Sequence, residues 1–133
     1  MGKIARVLPI AAAFALMTSW PAFAADSSAA LKALDTDSDG TIDLKEAEVG
    51  AAKVFKSMDT DNDGTVDPKE VGGRLTPSEF KAADTDNDGT LDEKEYVSIV
   101  DKKFKAADTD NEGTLDAKEL DSPAGQELLK LIQ

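Results

Sequence analysis

The 133-residue sequence has no cysteine and no histidine. Their absence removes zinc fingers, disulfide frameworks, thiol nucleophiles, the usual haem ligations and any Ser-His-Asp triad. Metals that want sulfur or imidazole lose their preferred ligands, which leaves hard cations that accept oxygen. Positive charge is scarce too. Fifteen Lys and Arg stand against 27 Asp and Glu, for a formal net charge of −12. That balance argues against nucleic acid or an anionic membrane surface as partner. Aromatics make up 5% of the chain, and the length suits one small domain with a modest core.

What is present begins with an address. Lys3 and Arg6 give a positive start, residues 7–17 are apolar apart from Pro9, and Trp20-Pro21-Ala22-Phe23-Ala24 follows. This is the plan of a secretory signal peptide with an A-x-A cleavage site, and we place cleavage after Ala24. As a helix the apolar run reaches only about 16 Å, roughly half a bilayer core, too short for a membrane anchor. The expected product is a single domain, residues 25–133, with a net charge of −14 and no membrane attachment. An exported chain without disulfides must draw its stability from its core or from metal.

Four copies of one twelve-residue pattern dominate that domain, starting at Asp35, Asp59, Asp84 and Asp108, with spacings of 24, 25 and 24 residues. Each matches the EF-hand calcium loop at every ligand position. Position 1 is Asp35, Asp59, Asp84 or Asp108, and position 3 is Asp37, Asp61, Asp86 or Asp110. Position 5 is Asp39, Asp63, Asp88 or Glu112. Position 7 offers the backbone carbonyl of Thr41, Thr65, Thr90 or Thr114, and position 9 is Asp43, Asp67, Asp92 or Asp116. Position 12 is Glu46, Glu70, Glu95 or Glu119, long enough to bind bidentately from the first turn of an exit helix. Glycine at position 6 permits the sharp turn that a Cβ resists.

These loops are more than acidic surface. They hold 21 of the 27 acidic residues. Two unit charges 4 Å apart at an effective dielectric near 20 repel by about 4 kcal/mol, so such crowding calls for a cation. No nucleophile, base or oxyanion constellation stands apart from the ligands, and no enzymatic activity is expected.

The carboxylate count bears on which cation. Each loop presents five, so a divalent ion leaves a formal charge of −3 per site and a trivalent ion −2. Four divalent ions take the mature chain to −6, and four trivalent ions to −2. Full use of the carboxylates favours the higher charge. A trivalent lanthanide has nearly the radius of Ca²⁺ and accepts more ligands, which Asp at position 9 can supply directly. Mg²⁺, which wants a tight octahedron, fits worse. Ca²⁺ stays open as the alternative, because ligand number and rigidity also tune affinity.

Only 12, 13 and 12 residues separate successive loops, too few for an exit helix and a separate entry helix. One helix from Leu44 to Met58 must therefore serve loops 1 and 2. Leu44, Ala47, Ala51, Val54, Phe55 and Met58 line one face of it. Glu93 to Ala107 does the same for loops 3 and 4, with Tyr96, Ile99, Val100, Phe104 and Ala107 inward. Between them Gly72-Gly73 breaks the chain, and Thr76-Pro77-Ser78-Glu79 is a capping box with proline at N1. The chain is expected to reverse there, between two short helices. The result is an all-α compact bundle in which adjacent hands share helices. Loops 2 and 3 pair at one end, loops 1 and 4 at the other, through Ile42, Val66, Leu91 and Leu115. Leu31, Phe55, Phe80 and Phe104, four residues ahead of each loop, are read as core. Leu31 and Leu34 begin the first entry helix, and Ser122-Pro123 starts a last helix carrying Leu128, Leu129, Leu131 and Ile132.

Four short-spaced loops behind a leader, together with the Gly72-Gly73 to Phe80 connection and the ending Ser122-Pro123-Ala124-Gly125 and Leu131-Ile132-Gln133, resemble lanmodulin over essentially the whole chain. That family comprises periplasmic lanthanide-binding proteins of methylotrophic bacteria. The resemblance implies a periplasmic location, up to four lanthanide(III) ions bound in preference to Ca²⁺, and compaction driven by metal. Its ligands carry over onto the loop positions named above, including the family's Asp at position 9. Two departures stand out. Where the family typically has proline at position 2, this chain has Thr36, Thr60, Thr85 and Thr109. Proline would stiffen the free loop. Glu112 at position 5 is one methylene longer than Asp, which marks loop 4 as the weakest or most distorted site.

An exported Ca²⁺ buffer or sensor is the alternative. A sensor opens a Met-rich groove, whereas residues 25–133 hold only Met58. A Ca²⁺-stabilised adhesion module of dockerin type is a third reading. Such loops usually come in twos and end in Asp, and these are four ending in Glu.

Overall fold

The computed structural model describes residues 26–133. The expected leader, residues 1–24, and its cleavage point lie outside the described residues. In chain order the elements are α1 (Ser27–Leu34), β1 (Ile42–Asp43), α2 (Leu44–Met58), β2 (Thr65–Val66), α3 (Pro68–Val71), α4 (Pro77–Ala83), β3 (Leu91–Asp92), α5 (Glu93–Ala107), β4 (Thr114–Leu115), α6 (Ala117–Leu120) and α7 (Pro123–Ile132).

The helices start where a side chain can satisfy their first amides. Asp26 accepts the Ser28 amide and starts α1, four residues ahead of Leu31, where the apolar pattern alone put it. Asp43 and Glu46 form a capping box at the head of α2, and Asp92 and Glu95 form the same at α5. Both shared helices run over the ranges that the loop spacing requires, each about 22 Å long at 1.5 Å per residue. At the central reversal α3 ends at Val71 and Gly72 takes φ +60, a conformation open to glycine at no steric cost. Thr76 then caps α4, with Glu79 reaching back to the Thr76 amide at 2.8 Å.

Pairing follows the same logic. β1 lies antiparallel to β4 with Ile42 opposite Leu115, and β2 to β3 with Val66 opposite Leu91. All four position-8 side chains are fully buried. Loops 1 and 4 thus share one end and loops 2 and 3 the other, as expected.

Between the ends α2, α5 and α7 pack on one another. Phe55, Val54, Tyr96, Val100, Phe104, Leu128, Leu129, Leu131 and Ile132 fill the interior. Phe80 is buried with them, but Leu31, expected in the core, is only partly covered, because the short α1 rests at the margin of the bundle. The Phe55 and Tyr96 rings meet tilted, with centroids 5.8 Å apart. The Tyr96 hydroxyl donates to the Leu131 carbonyl at 2.8 Å, and burial pushes its pKa up to about 12. Arg74 donates to the carbonyls of Lys130 and Gln133, the latter at 2.9 Å, and so ties the central connector to the end of α7. Close helix approach rests on two glycines. A Cβ on Gly50 would lie 2.8 Å from the Ile132 carbonyl oxygen and from Leu34, and one on Gly125 would overlap the backbone of Glu119 and Leu120.

Lys103 on α5 reaches Glu79 on α4 at 2.6 Å. This hydrogen bond, joined by the Thr76 amide, holds the Glu79 pKa down to about 2, against an ordinary 4.5. A carboxyl whose folded pKa is depressed stabilises the fold above its unfolded value and loses that contribution as pH falls through the folded one. Glu79→Gln keeps the cap and removes the charge. With saturating metal, its urea midpoint is expected to fall short of wild type at pH 6 by the equivalent of about 0.5 kcal/mol, the scale of ion pairs that water still reaches. The gap closes as pH drops from 4.5 towards 2.

Candidate metal centres

Each loop folds around its own amides. The position-1 carboxylates of Asp35, Asp59, Asp84 and Asp108 accept the amide of the position-6 glycine at 2.9 to 3.1 Å, and that of position 5 at 3.1 to 3.2 Å. The glycines sit at φ +84 to +88, which only glycine adopts freely. Position 4 is left-handed as well. Asn62, Asn87 and Asn111 have φ +56 to +58, and Ser38 has φ +63. Asn tolerates this region, so its threefold use at position 4 was a signal the ligand pattern did not exploit.

These turns bring carboxylate oxygens together. In loops 2, 3 and 4 the close group is positions 1, 3 and 12: Asp59, Asp61 and Glu70; Asp84, Asp86 and Glu95; Asp108, Asp110 and Glu119. In loop 1 it is Asp35, Asp37 and Asp39. Within each group the oxygens lie within 4.8 Å of one another. An ion with oxygen distances of 2.3–2.6 Å holds its ligands within about 5 Å, so the donor sets suit a Ca²⁺-sized cation.

The electrostatics match a site built for positive charge. Burial and the charges of Asp39 and Glu46 push the Asp37 carboxyl up. At Asp61 the Asp63 amide pulls down, but burial together with the charges of Asp63 and Glu70 outweighs it. Asp86 behaves alike, between Asp88 and Glu95. The ends of the loops go the other way. Burial raises Asp35, but the amides of Gly40, Ser38 and Asp39 more than offset it, leaving that carboxyl below its usual range. The Thr60 hydroxyl holds Glu70 down, and the Thr85 hydroxyl holds Glu95 down.

The position-9 aspartates, expected as direct ligands, also serve as helix caps. Asp43, Asp67, Asp92 and Asp116 each cap the following helix, accepting the position-12 amide through Oδ1 at 2.7 to 2.9 Å. Like Glu46 and the position-5 residues Asp63, Asp88 and Glu112, they stand outside the close carboxylate groups. The first turn of an exit helix needs an acceptor at that place, and Asp supplies it.

Loop 4 differs from the others at Glu112 in one pair of contacts. In loops 1 to 3 the position-7 threonine donates its amide and hydroxyl to the position-5 Asp, at 2.8 and 2.7 Å. Among the described residues Thr114 makes neither bond to Glu112, whose longer arm leaves that Asx-type turn. Glu112→Asp is expected to restore both and to tighten the weakest metal equivalent about tenfold, the effect of roughly one charge-assisted hydrogen bond. A stoichiometric titration checks it, and an unchanged last equivalent would refute it.

The EF hand family model matches residues 28–46, 51–72, 78–100 and 99–122, most of the chain. The chain belongs to the EF-hand family, whose members are typically metal binders rather than enzymes. Its four loops and their carboxylate clusters make it a binder of Ca²⁺ or similar metal ions. No curated protein matches the chain.

Proposed function

We propose that residues 25–133 form an exported, periplasmic protein that binds up to four trivalent rare-earth ions in preference to Ca²⁺. The ligands are the carboxylates at positions 1, 3, 5 and 12 of each loop and the carbonyls of Thr41, Thr65, Thr90 and Thr114. Asp43, Asp67, Asp92 and Asp116 hold the exit helices in place beside them. The observation that supports the reading best is the carboxylate excess. Four ligand carboxylates per loop, with a fifth at position 9 beside them, overcompensate a divalent ion, and in the metal-free chain burial together with the charges of neighbouring carboxylates pushes the carboxyls of Asp37, Asp61 and Asp86 up. The resemblance to lanmodulin points the same way.

Circular dichroism at buffered free La³⁺ and Ca²⁺ tests this. Folding at far lower La³⁺ than Ca²⁺ is the expected result, and coincident midpoints would overturn it. The second reading, an exported calcium buffer, is favoured by the position-9 geometry. Aspartates occupied as helix caps lower the number of direct ligands towards that of ordinary calcium loops, where position 9 often acts through water. A buffer suits the chain better than a sensor, since Met58 is buried in the core and supplies no exposed Met-rich groove.

A further inference from the structure

Position 2 of an EF-hand loop is not a ligand position, yet here it is threonine four times. Each of the four makes the same pair of bonds. The amides of Thr36, Thr60, Thr85 and Thr109 donate to Oε1 of the position-12 glutamate at 2.6, 2.9, 2.8 and 2.9 Å. Their hydroxyls donate to the same oxygen at 2.9, 2.8, 2.8 and 3.0 Å. The other oxygen, Oε2, accepts the position-9 amide at 3.1 to 3.3 Å.

We propose that these threonines are positioning residues, which grip Glu46, Glu70, Glu95 and Glu119 so that the carboxylate of each is set for an incoming cation. The inference rests on the reading of those glutamates as ligands. A free glutamate side chain samples many rotamers, and ordering it when a ligand binds costs affinity. Three donors on two oxygens remove most of that freedom beforehand. In loops 2, 3 and 4 the held carboxylate belongs to the close group with positions 1 and 3. The donors also favour the charged form amid other carboxylates, and at Glu70 and Glu95 the threonine hydroxyl is the largest influence lowering the pKa.

The four threonines are exposed, so packing gives no reason for their shape. A proline at this position has neither an N–H nor a hydroxyl. It stiffens the loop but cannot grip the glutamate. Threonine therefore reaches pre-organisation by a different route, acting on the ligand rather than on the backbone.

The test uses Thr60→Val with Thr85→Val, in the paired loops 2 and 3. Valine keeps the size and the amide and deletes the hydroxyl. Loops 1 and 4 stay intact to hold the bundle together. Two of the four metal equivalents are expected to weaken about tenfold for La³⁺, the loss of one hydrogen bond to a charged acceptor at each. The corresponding Ser variant is expected to return to within about twofold of wild type, because the hydroxyl is back. Luminescence lifetimes of bound Tb³⁺ in H₂O and D₂O give an independent readout, since a looser glutamate admits more coordinated water. Valine affinities and lifetimes equal to wild type would overturn the proposal, as would a serine variant as weak as valine. If wild type itself takes up neither La³⁺ nor Ca²⁺, the ligand reading fails. Normal wild-type uptake with an indifferent valine variant defeats only the role of threonine.

Discussion

Stripping all metal with a strong chelator is expected to cost the chain most of its helical signal, and adding metal back is expected to restore it. An ion at 100 times its dissociation constant stabilises the form that binds it by about 2.7 kcal/mol. Four such sites contribute on the order of 11 kcal/mol, which lies within the whole stability of an ordinary domain. Without them a small core must hold against 21 loop carboxylates. The core has a few aromatic anchors, Phe55, Phe80, Tyr96 and Phe104, with Ala47, Ala51, Ala83 and Ala107 between them. Circular dichroism together with a thermal melt reads the outcome. A chelated sample as helical and as heat-resistant as the loaded one would refute metal-driven folding.

Gly125→Ala is expected to be the most damaging single methyl group in the molecule. Its Cβ would fall on the carbonyl oxygen of Glu119 and within 2.6 Å of the Leu120 carbonyl. Both obstacles are backbone and cannot swing aside. The corner is also fastened from the other side, since the Ser122 amide and hydroxyl donate to that same Glu119 carbonyl at 3.1 and 2.6 Å. Relief requires moving α7 away from α6, and α7 carries Leu128, Leu129, Leu131 and Ile132. Overpacking of this kind costs about 3 kcal/mol. In a domain of roughly a hundred residues that lowers the melting temperature by about 15 °C. Glu119 is both the obstacle and the position-12 residue of loop 4, so the loop-4 equivalent of metal is expected to weaken more than the other three. Calorimetry of the metal-saturated variant and a metal titration together check this. A melting temperature within a few degrees of wild type would mean that the two helices do not meet so closely.

Local rules made most of the fold readable. Loop spacing and apolar period gave α2 and α5 to the residue, and the alternation of shared helix and reversal gave the loop pairing. The carboxylate pattern located all four centres, because EF-hand ligands follow one another within twelve residues. Contacts between distant residues were not readable. Tyr96 finds the Leu131 carbonyl 35 residues away, and Arg74 finds Lys130 and Gln133 at 56 and 59. No period in the sequence encodes such meetings. Gly50 looks like an ordinary weak point in a helix until α7 and Leu34 are seen against it. The position-9 aspartates were read for charge alone. Asp at a helix start also serves as a cap, and the geometry shows that role at all four.

The two ribbons have a consequence for a protease. A nick at Gly72-Gly73 would release one fragment with β1 and β2 and another with β3 and β4. Each ribbon takes one strand from each fragment, so neither piece keeps a complete pair of loops. The halves are complementary rather than autonomous. Mixed together, they are expected to rebuild the whole molecule as a two-chain complex, and kept apart, each would be left with two loops whose strand partners are missing.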